Sequence, residues 1–172
     1  MNCFDTHAHI DMPRFGDRTE QRFAALRAAA AGIWGILIPG VEPATWDPLL
    51  EVAADLREIA PGMCFVTALG IHPQVLPDLD PAGDAGAVAA LRERVRAAPA
   101  GMAAIGECGL DFGPQGEGAS RERQVAVLRA HFELARATGL PLVLHCLKAH
   151  AVMLELLLEV PLPPSILHSY SG

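Results

Sequence analysis

The stretch Leu140-Pro141-Leu142-Val143-Leu144-His145-Cys146 decides the fold. Residues 142–144 are apolar on both faces of a strand, as a parallel strand covered on two sides requires, and the stretch turns polar at its exit. A helical pattern stands on either side of it. The preceding one runs from about Ser120 to Thr138, with Val125, Leu128, Phe132 and Ala135 at helical spacing, and Gly139 and Pro141 stop it. The following one covers Ala149–Glu159.

The same alternation extends outward along the chain. Cys3–His9, Ile33–Pro39, Cys64–Ile71, Met102–Gly109 and Ser165–Ser169 read as strands. Asp17-Arg18-Thr19-Glu20 reads as a capping box for a helix ending near Gly32. Pro43 to Ile59 reads as a second helix, with Leu49, Val52, Ala53 and Leu56 along one face. Pro77–Gly86 reads as a loop, Ala87–Ala98 as a helix and Gly113–Gly118 as a glycine-rich connection. Repeated βα units predict an α/β fold, either a (β/α)8 TIM-barrel type or a doubly wound open sheet. No GxGxxG loop follows the first strand and no P-loop is present. The barrel is favoured because polar residues recur at one strand exit after another, where barrel active sites lie. A complete barrel takes about 250 residues and eight strands. Six strands in 172 residues predict an incomplete barrel, with the last two βα units missing. One domain over residues 1–172 is expected.

Thirteen Lys and Arg against 20 Asp and Glu leave a net charge of −7, which excludes broad electrostatic capture of nucleic acid. It leaves open a nucleic-acid substrate held through bound cations. With 51% hydrophobic residues the chain can bury a core. No apolar run approaches the roughly 18 residues of a membrane span, and the N-terminus carries no export signal. Cys3, Cys64, Cys108 and Cys146 form no CxxC pair. A disulfide framework is therefore not expected, and a reducing cytoplasm is. No membrane association and no protein partner are evident.

His7 and His9 share one strand face with Asp5, because strand periodicity is 2. Two such imidazoles can grip a divalent ion, or can cap a strand by hydrogen bonds. His72, His145 and His168 end three further strands, and Glu107 lies on a fourth, in Ile105-Gly106-Glu107-Cys108-Gly109. In a parallel barrel these exits open on one mouth, which predicts a metal site. Glu107 among apolar neighbours needs a cation or an arginine partner. Its flanking glycines are read as room for a ligand. Cys108 and Cys146 point away from Glu107 and His145 and read as buried thiols. His131 and His150, on helices, read as solvated.

These motifs resemble the TatD-type metal-dependent hydrolases, often called TatD deoxyribonucleases, of the amidohydrolase-like superfamily. The likeness rests on Phe4-Asp5-Thr6-His7-Ala8-His9-Ile10-Asp11, Leu69-Gly70-Ile71-His72-Pro73, Ala104-Ile105-Gly106-Glu107-Cys108-Gly109-Leu110-Asp111, Leu140–Cys146 and Leu167-His168-Ser169-Tyr170-Ser171-Gly172. It implies a site for two divalent metal ions. His7 and His9 would hold the first, Glu107 would bridge to the second, and His145 and His168 would complete that one. Glu107 and His72 would be catalytic, with His72 near the substrate phosphate. The substrate would be DNA or another phosphodiester. Histidine-rich ligation suits Zn²⁺ or Mn²⁺, and family usage keeps Mg²⁺ open. Asp5, Asp11 and Asp111 match motif positions, with hydrogen bonding to ligands as the simple role.

Two departures stand out. Where the family carries an Arg two residues after the fifth-strand histidine, this chain has Leu147, followed by Lys148. Lys148 is read either as a substitute phosphate contact or as a solvated helix-start lysine. The family's eighth-strand Asp has no counterpart in this sequence. Weak or absent nuclease activity is therefore expected. The competing readings are an amidohydrolase acting on a C–N or ester bond, which often carries a bridging Lys where Glu107 stands, and a non-catalytic remnant.

Overall fold

The computed structural model describes residues 3–169. Tyr170, Ser171 and Gly172, the end of the last quoted motif, lie outside them. Six parallel strands form one sheet in the order β1-β2-β3-β4-β5-β6: Cys3–Asp5, Ile33–Pro39, Cys64–Leu69, Met102–Asp111, Leu142–Leu147 and Ile166–Leu167. The helices are α1 Arg18–Ala30, α2 Trp46–Ile59, α3 Asp84–Ala97, α4 Arg121–Thr138 and α5 His150–Glu159. Sequential strand order with a helix between each pair of neighbours is the barrel arrangement. The doubly wound alternative would require the order to reverse.

Alternation along the strands divides the apolar residues into two sets. Ile36 and Ile38 join the core between sheet and helices, with Trp46, Leu49, Val52 and Leu56 of α2. Leu37, between them, joins Ala68, Ala104 and Val143 on the other side of the sheet, with Phe4 and Val66 against them.

Local chemistry sets the element ends. The Asp17 side chain accepts from the Thr19 and Glu20 amides, and Glu20 Oε2 accepts the Asp17 amide, so the expected capping box is present. Gly139, at φ 74, caps α4 in the left-handed region. β1 is shorter than expected and ends at Asp5. Asp5 Oδ1 accepts the His7 amide at 3.0 Å, turning the chain out of strand geometry. Asp5 is exposed and does not line the site. α3 begins at Asp84, three residues before the expected Ala87, where Asp84 pairs with Arg123 of α4. β6 has two residues, although the His168 amide still bonds Leu144 O at 3.1 Å.

The glycines beside Glu107 correct an expectation. A Cβ on Gly109, at φ 150, would lie 1.9 Å from His145 O, and one on Gly106, at φ 139, 2.5 Å from Val143 O. They make room for β5 rather than for a ligand. The β4–β5 register shifts between Ile105 and Cys108, the segment that carries Glu107.

Candidate metal centre

Glu107 is 2% exposed and sits inside a ring of imidazoles rather than against an arginine. Its two oxygens face different partners. Oε2 lies 3.2 Å from His7 Nε2 and 3.2 Å from His9 Nε2, and those two nitrogens are 3.0 Å apart. Oε1 lies 2.5 Å from His168 Nε2, 3.0 Å from His72 Nε2 and 3.4 Å from His145 Nδ1. His145 Nδ1 and His168 Nε2 are 3.3 Å apart. The His7 and His168 rings stack at 3.8 Å. All six expected site residues therefore converge in one cavity of about 420 Å³.

Hydrogen bonds settle which nitrogen of two of these rings is free. The Gln74 amide donates to His72 Nδ1 at 3.1 Å, so a neutral His72 carries its proton on Nε2 and points it at Glu107. Burial lowers the His72 pKa against the opposing pull of Glu107, which keeps the ring neutral. His72 is thus a donor at the rim of the cluster, although its position also satisfies a ligand grouping with Glu107 and His145. His145 is turned the other way. Its Nε2 is 3.2 Å from Asp111 Oδ2, which leaves the Nδ1 lone pair facing Glu107 and His168. Asp111 is fully buried and is itself held by Gln74 Nε2 at 2.6 Å and the Gly113 amide at 2.7 Å. This is the carboxylate–histidine pairing that orients metal ligands.

The donor set fits a cation. Two imidazole nitrogens and a carboxylate oxygen, mutually 3.0–3.2 Å apart, need a proton or a cation between them, and the opposite ring nitrogens, His7 Nδ1 and His9 Nδ1, are buried without a hydrogen-bond partner. Nitrogen and oxygen ligands about 2 Å from one ion fall close to such mutual separations. His7, His9 and Glu107 form one candidate grouping by this criterion. Burial pushes the Glu107 carboxyl up, but the surrounding imidazoles of His145, His168, His7 and His72 outweigh it and hold it well below the usual carboxylate range. Burial works against a charged His145, yet Glu107 and Asp111 raise its pKa, and the pull that favours a proton there equally favours a cation. Asp11 is half-buried, and burial raises its carboxyl.

Two sequence expectations fail here. His131 is not solvated but 0% exposed. Its Nδ1–H donates to Val127 O at 2.8 Å and its Nε2 accepts the Ile71 amide at 3.1 Å, beside His72. Helical position alone does not report that α4 packs this face on the sheet. His150 is half-buried. Lys148 is exposed, with a left-handed φ of 53, and does not line the cavity. Cys108 is buried and Cys146 half-buried. Sequence reasoning missed Gln74 and Arg14, both of which line the cavity. A polar residue two places after His72 was the available signal for the first.

A parallel barrel-type sheet with a histidine-ringed carboxylate at its strand exits defines the class of metal-dependent hydrolase folds. The family model described as "TatD related DNase" matches residues 4–172, and the chain belongs to that family. It is 30% identical over 169 residues to the metal-dependent hydrolase YjjV of Escherichia coli K12, covering 98% of this chain and 60% of that protein. It is 33% identical to a 3'-5' ssDNA/RNA exonuclease TatD of Erwinia billingiae, again over 98% of this chain and 60% of the relative. The crystal structure of Escherichia coli YjjV superposes with a TM-score of 0.83 at 30% identity, over 98% of this chain and 60% of that one. An amidohydrolase structure from Saccharomyces cerevisiae shares the fold at 18% identity, with a TM-score of 0.77. The chain thus spans about 60% of the length of the curated relatives it matches. Among the described residues no helix is long and apolar enough to cross a membrane.

Proposed function

We propose that this chain carries the cation-binding part of a phosphodiesterase acting on nucleic-acid ends, with two divalent cations, Zn²⁺, Mn²⁺ or Mg²⁺, at the centre. One observation carries the reading: the two Glu107 oxygens face different imidazoles, Oε2 those of His7 and His9 and Oε1 those of His145, His168 and His72. His7, His9 and Glu107 Oε2 would hold one cation, and Glu107 Oε1, His145 Nδ1 and His168 Nε2 the other. At such a site a bound cation pair supplies polarised phosphoryl oxygens and a water acidified towards neutral pKa.

The chain's own groups do the positioning. Asp111 accepts from His145 Nε2 and so aims Nδ1 inward. The Gln74 amide fixes His72 with its Nε2 proton directed at Glu107 Oε1, and with a cation on that oxygen the proton can turn to a phosphate oxygen. The names of the TatD relatives support a nucleic-acid substrate. A carboxylate where related amidohydrolases often carry a lysine argues against C–N chemistry. The unbroken sheet supports reading residues 1–172 as one domain, and four free cysteines support a reducing compartment such as the cytoplasm.

The test is Mn²⁺ stoichiometry together with hydrolysis of single-stranded DNA, before and after His7→Ala. Two bound ions, falling to one in the variant with loss of hydrolysis, is the expected result. A chain that retains no Mn²⁺ ends the reading.

A further inference from the structure

We infer that Arg14 holds a phosphate group of the substrate at the mouth of the metal centre, in place of the fifth-strand arginine that this chain lacks. The inference deepens the proposed function and rests on it for the identity of the substrate. Arg14 lines the same cavity as His7, His9, His72, Glu107, His145 and His168. Among the described residues lining that cavity it is the one lysine or arginine. Position 147 is Leu, and the neighbouring Lys148 lies outside the cavity.

The backbone beneath Arg14 is well held. It sits in a 3₁₀ turn, Pro13–Phe15, entered by proline, with the Phe15 amide donating to Met12 O at 2.9 Å and the Gly16 amide to Pro13 O at 2.9 Å. The Met12 amide in turn donates to His9 O at 3.1 Å, which ties the turn to the HxH segment. The guanidinium lies 5.8 Å from the Phe15 ring centroid. Among the described residues it forms no ion pair; its charge is felt at Asp11 without a bond. Its fork of donors is thus free for an anion, and a guanidinium matches phosphate oxygens two at a time. In a chain of net charge −7, an anionic polymer needs such a local cation to approach. A neutral amide or ester substrate would gain nothing from it, so Arg14 also biases the site towards phosphodiesters.

The test is binding without turnover. A short fluorescein-labelled thymidine oligonucleotide with phosphorothioate links is titrated by anisotropy against the full chain, with Mn²⁺ and with EDTA, at several salt concentrations. Arg14→Ala should weaken binding about tenfold in both conditions, the scale of one charged hydrogen-bonded contact. The slope of log affinity against log salt should flatten by about 0.7, one phosphate contact on a single strand. Arg14→Lys should restore most of the slope and part of the affinity, while Lys148→Ala should match the unaltered chain. Bound Mn²⁺ should be the same in all four proteins. Binding by Arg14→Ala within twofold of the unaltered chain, a loss carried by Lys148→Ala instead, or no binding by the unaltered chain each overturns the inference. Arg14-dependent binding by a chain that retains no Mn²⁺ would overturn the proposed function and leave the phosphate contact standing.

Discussion

His131 shows how much one buried side chain can govern. Burial lowers its pKa to about 4, against the usual 6.5 or so of an unfolded histidine. Because the folded state disfavours the proton, stability is fully present above about pH 6.5 and is lost as pH falls towards 4. The total is on the order of 3 kcal/mol. His131→Gln should remove most of that pH dependence, read as the difference in urea midpoint between pH 7 and pH 4.5 for the two proteins. An unchanged difference would mean that another group governs acid unfolding. Asp111 makes a second case. Asp111→Asn weakens the acceptor that turns His145 Nδ1 inward. Metal affinity should fall about 10–100-fold, measured by titration with Mn²⁺.

At the scale of an element, β4 is where the site is made. It is buried from Ala104 to Asp111, and it reaches β5 so closely that Gly109 has no space for a side chain. Gly109→Ala should drive a methyl group into the His145 backbone. The expected loss is about 3 kcal/mol or more in chemical denaturation, at the upper end of single substitutions. The α1 cap is a milder case, since it lies on the surface. Asp17→Ala removes the acceptor of two amides and should cost about 1 kcal/mol in the same measurement. The capping box was legible because its chemistry is local to four residues. The purpose of the β4 glycines was not, because it depends on a strand more than thirty residues away.

For the molecule as a whole, β1 and β6 stand at the two ends of the described sheet, and several large apolar side chains lie open. Phe23 of α1 is 61% exposed and Leu158 of α5 is 78% exposed. Unpaired strand edges and open apolar faces favour association. The chain should therefore show concentration-dependent self-association in sedimentation velocity, reduced by Phe23→Glu with Leu158→Glu. A strict monomer at high concentration would show that these faces are too dispersed to drive it.

The βα alternation, the α1 cap, the exact span Ile33–Pro39 and the membership of the histidine cluster were all readable in the letters, because each follows from local periodicity or from residues placed at strand exits. Only the folded chain decided the rest. Which nitrogen of His145 is free depends on Asp111, brought in from a neighbouring strand. The burial of His131 and the crowding at Gly109 have the same origin. Each is a contact between segments far apart in sequence, and such contacts leave no period in the chain to read.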